Sequence, residues 1–255
     1  MISRYEAFLN GVALQTISPD ILIHDISYGA PSFQDDTFSV AKRNGSRIFR
    51  RSFDSISVTI RFEIHAYSVA SRQAICQAVC LWAKSGGELK TNDREGQYLQ
   101  CVCSQFPSVE SARNWTDPLT IVFTAYAVPF WQDVAVTSIA LTAGSSGSKS
   151  AFVPGNADGA LVEAEVTAGG SLTTLNLTVN GRTLTLSGIS VSSGSKIVIS
   201  YDTDGIQSIK VGSTSLLNKR SGVDDLLANC GAINTFGFSA NVSVTVTFKV
   251  KGVYV

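Results

Sequence analysis

The feature that most constrains the fold is a strand pattern followed at once by a helix pattern. Between Ser55 and Ala66, apolar and polar residues alternate, which is the period of a β-strand with one buried face. Residues 68–71 then supply candidate N-cap hydroxyls, and apolar residues recur at helical spacing until Gly86-Gly87, which ends the helix. Because a strand with one apolar face needs apolar cover, this stretch predicts a helix packed on an antiparallel sheet.

Four of the chain's five cysteines fall in or just after this stretch. Cys76 and Cys80 lie one helical turn apart near the polar stripe, and Cys101 and Cys103 share one face of a later strand. Four thiolates together would suit a zinc ion, but neither pair has the C-x₂-C spacing of a zinc knuckle. We therefore expect reduced cysteines and no metal, with the sheet-facing side of the helix formed by Ile75, Val79 and Trp82.

Turn signals divide the rest of the first half into antiparallel strands. Asn10-Gly11 tolerates positive φ at both positions and predicts a type I′ hairpin between residues 5–9 and 12–16. With the helix, these strands define an α+β N-terminal domain. Further strands are predicted at residues 20–28, 37–40, 48–53, 98–106 and 118–128.

The densest basic run in the chain surrounds the turn signal Asn44-Gly45. It is either a solvated hairpin tip or a surface that contacts phosphate or an acidic partner, and the sequence leaves both interpretations open. If it docks on a neighbouring subunit, acids such as Asp35 and Asp36 are candidate partners. The candidate contact residues are Arg43, Arg47, Arg50 and Arg51.

The composition changes after Pro129-Phe130-Trp131. The remaining chain is rich in Ser, Thr, Gly and Val, and carries short alternating runs and a third Asn-Gly turn signal at Asn180-Gly181. This spacing predicts an all-β sandwich or jelly roll. We expect two domains, 1–132 and 133–255, with an exposed loop at residues 143–150.

Charge and motifs argue against several classes of function. Twenty basic residues balance twenty acidic ones, so no net field favours nucleic acid or an anionic membrane. No apolar run has the length of a signal peptide core or a membrane span, which predicts a soluble chain without membrane insertion. His24 and His65 both fall on strand patterns, and the sequence contains no G-x-S-x-G, H-E-x-x-H or phosphate-loop motif. We expect no catalytic residues and no cofactor, and a hydrolase is only a remote alternative.

The order of these segments resembles the distal tail protein of long-tailed bacteriophages over the whole chain, most specifically over residues 1–132. The segments that carry the resemblance are Phe8-Leu9-Asn10-Gly11, the run from Ile23 to Gly29, the Phe62-Glu63-Ile64 strand and its helix ending Leu81-Trp82, the strand at Tyr98, and Pro129-Phe130-Trp131. The resemblance implies a tail-tube-like N-terminal domain in a homo-hexameric ring, with a galectin-like sandwich projecting from it. It also implies a virion protein assembled in the bacterial cytoplasm. Its expected partners are the tail tube, tape-measure and tail-tip proteins, and receptor-binding proteins are a further possibility.

A glycan-binding module of the host-adsorption apparatus is the alternative function. Sugar sites present exposed aromatic rings, because a ring offers a flat apolar face to the C–H side of the sugar. Retention on host cell-wall polysaccharide would favour this alternative, whereas a stable ring would favour the structural hub. The candidate rings of the second half are Phe152, Tyr201, Phe236, Phe238, Phe248 and Tyr254.

Overall fold

The structure is a computed structural model that describes residues 5–39, 44, 46–113 and 118–255. It divides into two compact units, Met1–Trp131 and Gln132–Val255. In the described ranges, no helix has the length and apolar character needed to cross a bilayer. The prediction of a mostly antiparallel protein with one packed helix is confirmed.

Among its described residues, the first unit has one α-helix, and the strands around it pair antiparallel. Strand β6 (Ile56–Ile64) is central and pairs with β3 (Ile21–Tyr28) on one side and β9 (Leu119–Ala125) on the other. Strand β8 (Gln97–Gln105) pairs with both β7 (Gly87–Thr91) and β9. Short 3-10 turns occupy Leu14–Thr16 and Ser111–Arg113. The elements are β1 (Ala7–Leu9), β2 (Val12–Ala13), β3 (Ile21–Tyr28), β4 (Phe33–Ser39), β5 (Ser46–Phe53), β6 (Ile56–Ile64), α1 (Val69–Ala83), β7 (Gly87–Thr91), β8 (Gln97–Gln105) and β9 (Leu119–Ala125).

Strand β6 has the predicted alternation. Every second residue is buried, and Ile60 lies opposite both Ile26 of β3 and Ile121 of β9. This places the apolar face of three neighbouring strands in one core. The buried residues of β6 are Ile56, Val58, Ile60, Phe62 and Ile64.

Helix α1 begins as predicted, because the Ser68 Oγ accepts a hydrogen bond of 3.0 Å from the Ser71 amide. The predicted orientation of the helix is wrong for Cys76, which is fully buried, whereas Ile75 is only half-buried. The helix is rotated relative to the prediction, because Arg72 donates hydrogen bonds to the backbone of the turn Ser111–Arg113 and Cys76 follows Arg72 one turn later on the same face. The buried face is consequently formed by Arg72, Cys76, Val79 and Ala83.

Two of the three predicted Asn-Gly turns are confirmed, and the third, at Asn44-Gly45, cannot be compared because Gly45 lies outside the described residues. Asn10 and Gly11 have φ of 52° and 80°, and Asn180 and Gly181 have φ of 51° and 81°. The strand predicted to follow Gly11 is wrong beyond Ala13, because residues 14–16 form the 3-10 turn. That turn directs Leu14 into the core, where it is fully buried.

The second unit consists of antiparallel strands and one short 3-10 turn, Leu217–Lys219. Antiparallel pairing joins, in this order, β13 (Arg182–Val191), β12 (Leu172–Val179), β19 (Ala232–Tyr254), β11 (Asp158–Ala168), β14 (Lys196–Tyr201) and β15 (Gln207–Val211). The loop predicted at residues 143–150 is wrong, since this exposed segment lies within β10. Strand pairing uses backbone groups and needs no apolar side chains. The strands are β10 (Trp131–Val153), β11 (Asp158–Ala168), β12 (Leu172–Val179), β13 (Arg182–Val191), β14 (Lys196–Tyr201), β15 (Gln207–Val211), β16 (Thr214–Ser215), β17 (Arg220–Gly222), β18 (Leu227–Asn229) and β19 (Ala232–Tyr254).

Candidate inter-subunit surface

Strands β4 and β5 form a two-stranded sheet of their own, which we call the hairpin arm. Every residue of β4 is exposed. An isolated two-stranded hairpin is marginally stable in water, because it has no second layer to bury its side chains against. The hairpin arm is therefore the element of the first unit with the greatest need for outside contacts.

An aromatic cluster fixes the base of the hairpin arm. The rings of Phe33 and Phe53 have centroids 4.7 Å apart, and the Phe53 ring meets the Phe130 ring edge-on at 5.0 Å. The Asp54 amide also donates a hydrogen bond of 2.9 Å to the Ser32 carbonyl oxygen. The base is thus held to the unit, while β4 and residues 46–49 of β5 carry exposed side chains.

Large apolar side chains are exposed further along the hairpin arm. The exposed fraction is 47% for Phe38, 52% for Ile48 and 81% for Phe49. Thr37 lies opposite Ile48 and Asp36 lies opposite Arg50, so Phe49 is an extra residue in a β-bulge. A β-bulge changes the direction in which its side chains point, and this bulge exposes the ring of Phe49 to solvent.

The predicted contact residue Arg47 lies on β5, is exposed, and is opposite Phe38. Arg43 lies outside the described residues. Sequence reasoning identified the charge of this segment but missed its apolar side chains. The sequence does contain a signal for these side chains, because Ile48 and Phe49 lie between Arg47 and Arg50. A hairpin tip that contacts only water does not need large apolar residues at such positions.

Arg50 and Arg51 also lie on β5. The register places Arg50 opposite Asp36 and Arg51 opposite Asp35. The acids suggested as targets on a neighbouring subunit therefore belong to the same hairpin arm as the arginines, directly across the strand pair.

A second apolar surface, which we call the helix groove, lies on the outer side of α1. Its volume is about 570 Å³. Leu81 is 72% exposed and Phe106 is 45% exposed, although both are large apolar side chains. The residues that line it are Gln77, Cys80, Leu81, Lys84, Phe106 and Val109.

The thiols are held in their neutral form by burial. Burial raises the pKa of both Cys76 and Cys101 to about 12, and it also raises the pKa of Cys80 and Cys103. A metal ligand or nucleophile must be a thiolate, so these side chains are poorly suited to either role at neutral pH. Over the described ranges, no three His, Cys, Asp or Glu side chains are arranged to hold a metal ion.

Both histidines of the chain lie against one carboxylate. The Nε2 atom of His24 is 3.0 Å from Oε1 of Glu63, and the Nε2 atom of His65 is 2.9 Å from its Oε2. His24 is the extra residue of a bulge in β3, between Ile23 and Asp25. The sequence did not predict that both histidines contact Glu63, because the His24 contact depends on the bulge and on the pairing of β3 with β6.

The aromatic residues of the second unit offer little flat surface for a sugar. Phe236, Phe238 and Phe248 are buried, while Tyr201 and Tyr254 are partly buried. The ring of Phe152 is 58% exposed. Of the six candidate aromatic residues, Phe152 is therefore the one that is exposed to solvent.

No family model and no curated protein matches the sequence. Among solved structures, the Dit protein of phage SPP1 matches with a TM-score of 0.68 at 12% identity. The match covers 97% of this chain and 98% of that chain. The SPP1 protein is described as a paradigm of the hub adsorption apparatus in phages that infect Gram-positive bacteria. The activated phage P2 baseplate with Ca matches with a TM-score of 0.50 at 10% identity, covering 99% of this chain and 98% of its own. The same baseplate with Sr matches with the same TM-score and identity, covering 98% of each chain. Along nearly its whole length, this chain therefore has the fold of the phage distal tail protein Dit.

Proposed function

We propose that the protein is a non-enzymatic structural hub at the distal end of a phage tail. In this role it joins the tail tube to the tail-tip or baseplate proteins and to the host-adsorption proteins. The observation that carries the proposal is the match to the SPP1 Dit protein, which runs through both units and leaves almost no residue of either chain uncovered. The tape-measure protein and receptor-binding proteins are further proposed partners in the virion.

The first unit is the proposed ring-forming part, and six copies close the ring. The hairpin arm supports this, because its large apolar side chains Phe38, Ile48 and Phe49 are exposed and can be buried only against a surface outside the arm. A head-to-tail contact between identical chains uses one arm and one receiving surface per copy, and such contacts form a closed ring when the rotation closes. The number six comes from the resemblance to distal tail proteins.

The second unit is proposed to be a galectin-like peripheral sandwich with a docking role. Glycan binding by this unit is the weaker candidate, because most of its aromatic rings are buried or partly buried. Fold similarity to sugar-binding modules does not by itself confer binding.

Native mass spectrometry of the full-length protein tests the ring. We expect a six-subunit species, and we expect Arg47→Glu, Arg50→Glu and Arg51→Glu together to reduce it. Charges at the rim of an interface act mainly on the association rate and its salt dependence, so the loss should be greatest at low salt.

The matched control carries the same charge change on the second unit. Arg182→Glu, Lys210→Glu and Lys219→Glu alter three exposed positions there and should leave the six-subunit species intact. A protein that stays monomeric at tens of micromolar, with no ring in micrographs of assembled tails, would contradict the proposal.

A further inference from the structure

The second half of strand β10 is exposed to solvent over a long stretch. None of residues 142–152 is buried, whereas the strands of a sandwich ordinarily bury every second side chain. We call this stretch the edge segment. It consists of Gly, Ser and Ala residues together with Thr142, Lys149 and Phe152. Because side chains on both of its faces reach solvent, backbone pairing with β19 is what keeps the edge segment extended.

Side-chain contacts define how the edge segment lies against β19. Ser150 Oγ is 3.4 Å from Thr235 Oγ1, and a Cβ on Gly147 would approach the Phe238 ring to 2.9 Å. A step of three residues back along β10 thus corresponds to three residues forward along β19, so the two strands run antiparallel. On the other side of β19, Phe238 pairs with Leu177 of β12. The edge segment is therefore the outer one of these three strands.

The outer side of the edge segment lacks the usual protection of a sheet edge. An outer strand directs one row of backbone N–H and C=O groups away from its neighbour, and these groups can pair with another strand. Natural proteins often block such an edge with proline or with charged side chains. The edge segment contains no proline, and its one charged residue is Lys149. The Lys149 Nζ donates a hydrogen bond of 3.5 Å to the Ala140 carbonyl oxygen, so this charge is directed back along its own strand.

One end of the edge segment carries exposed apolar side chains. The register that brings Ser150 beside Thr235 also brings Phe152 beside Ile233, on the same face of the sheet. Phe152 is 58% exposed and Ile233 is 74% exposed. Directly opposite residues of neighbouring strands have Cβ atoms about 5 Å apart. An apolar side chain on an added strand would therefore pack against Phe152.

We infer that the edge segment is the docking site for an extended segment of another tail protein, which adds to β10 as a further strand. Main-chain hydrogen bonds supply affinity, an apolar residue beside Phe152 sets the register, and Lys149 favours an acidic residue on the added strand. A partner helix could not use this edge, because its backbone groups are already paired within the helix. The inference rests on the docking role proposed for the second unit and names the chemistry of its partner.

Fluorescence anisotropy with the full-length protein and labelled peptides tests this docking site. The probes are peptides of about ten residues in which threonine and valine alternate around one glutamate, and a single leucine replaces each valine in turn. We expect at least one probe to bind. The same probe with proline at two adjacent central positions lacks one N–H on each of its edges, and we expect it to bind at least about ten-fold more weakly.

Substitution of the exposed ring gives a matched comparison. Phe152→Ser should weaken binding of the probe by about ten-fold, because it removes the apolar contact. Ile206→Ser is the control and should leave binding unchanged, since Ile206 is also an exposed apolar residue of the second unit but lies outside the edge segment. Circular dichroism of both variants verifies that each remains folded.

Hydrogen exchange locates the bound probe. We expect the backbone amides of residues 142–152 to exchange more slowly when the probe is bound, and those of β15 to be unaffected, since β15 pairs with β14. Failure of every probe to bind, equal binding of the proline peptide, or slower exchange only elsewhere would overturn the inference. Slower exchange of the edge segment that increases with protein concentration without any probe would identify a second copy as the occupant, and would also overturn it.

These outcomes are distinct from a failure of the proposed hub. If the wild-type protein forms the six-subunit species but no probe binds the edge segment, the docking site is wrong and the hub proposal stands. If a probe binds the edge segment as expected but the wild-type protein forms no ring, the docking site stands and the ring proposal fails.

Discussion

Arg72 is a buried cation that holds three segments of the first unit together. It is 7% exposed, and its Nη1 donates a hydrogen bond of 2.8 Å to the Ala66 carbonyl oxygen. Its Nε donates at 3.1 Å to the Ala112 carbonyl oxygen, and its Nη2 donates to the Arg113 carbonyl oxygen. The guanidinium thereby satisfies backbone acceptors of the strand end and of the turn that covers α1.

Arg72→Ala should lower the free energy of unfolding by about 3 kcal/mol, because it leaves buried carbonyl groups without donors. Arg72→Lys should lose less stability than Arg72→Ala but should remain less stable than the wild type, since an ammonium group cannot reproduce the planar fork of a guanidinium. Urea denaturation measures both. Arg61→Ala, at an exposed position of β6, is the control and should change stability by less than about 1 kcal/mol. An equally small effect for Arg72→Ala would contradict the prediction.

The buried thiols predict a loss of stability in alkaline solution. Burial raises the pKa of Cys76 and Cys101 from 9.0 to about 12, so the folded state keeps protons that the unfolded state releases. The contribution is fully present below pH 9 and is lost as pH rises toward 12. The free energy of unfolding should fall in this range by up to about 1.4 kcal/mol per pH unit for each thiol.

Cys76→Ala isolates this effect from other groups that titrate at high pH. The variant is expected to be less stable at pH 7 because it leaves a cavity, but its stability should fall less steeply between pH 9 and pH 12. Chemical denaturation at a series of pH values gives both slopes. Equal slopes for the variant and the wild type would show that the Cys76 thiol does not titrate differently in the two states.

At the scale of elements, Asn10 connects the first hairpin turn to the end of α1. Its side-chain Nδ2 donates a hydrogen bond of 2.9 Å to the Gly86 carbonyl oxygen, and its Oδ1 accepts one of 3.0 Å from the Glu88 amide. Gly87 lies under this side chain with φ of 129°, and a Cβ there would approach Asn10 Oδ1 to 2.0 Å. The first hairpin turn and the start of β7 are therefore joined where the Asn10 side chain packs directly against Gly87.

Gly87→Ala should destabilise the protein by about 3 kcal/mol, because it combines an unfavourable φ with displacement of the Asn10 side chain. Gly96→Ala is the matched control, since Gly96 also has positive φ, at 79°, but a Cβ there meets nothing within 4 Å. The control should cost about 1 kcal/mol. Thermal unfolding of the two variants compares them, and similar losses would refute the role given to Asn10.

At the scale of the whole molecule, the first unit ends on a residue that belongs to its core. Trp131 is 2% exposed, its ring meets the Tyr28 ring edge-on at 5.5 Å, and the Arg94 guanidinium lies 4.7 Å from its centroid. The separable unit predicted from composition must therefore retain this tryptophan. The second unit begins with the next residue, Gln132.

A chain truncated after Trp131 should be soluble and should unfold cooperatively. A chain truncated after Val128 lacks Phe130 and Trp131, and we expect it to be less stable by about 3–5 kcal/mol, the usual cost of removing a buried aromatic side chain. Urea denaturation followed by circular dichroism compares the two. If the longer truncated chain is insoluble or unfolds without cooperativity while the full chain unfolds cooperatively, the first unit does not fold on its own.

Several elements of this protein follow from the sequence alone, because they depend on residues that are close together in the chain. The alternation of β6 follows from the pleat of a strand. The turns at Asn10-Gly11 and Asn180-Gly181 follow from the tolerance of these residues for positive φ, and Ser68 caps α1 from within one helical turn. The resemblance in segment order also pointed to the Dit fold. The arginines of β5 could be identified as candidate contact residues because charge is visible in composition.

Only the tertiary structure decided what depends on residues far apart in the chain. The burial of Cys76 depends on which face of α1 the rest of the unit covers, and the contact of His24 with Glu63 depends on a bulge in β3. The exposure of Phe49 requires a second bulge and a hairpin arm that leaves the main sheet. Burial is a property of everything that packs around a side chain, so periodicity within one segment fixes an element without fixing which of its faces the rest of the chain will cover.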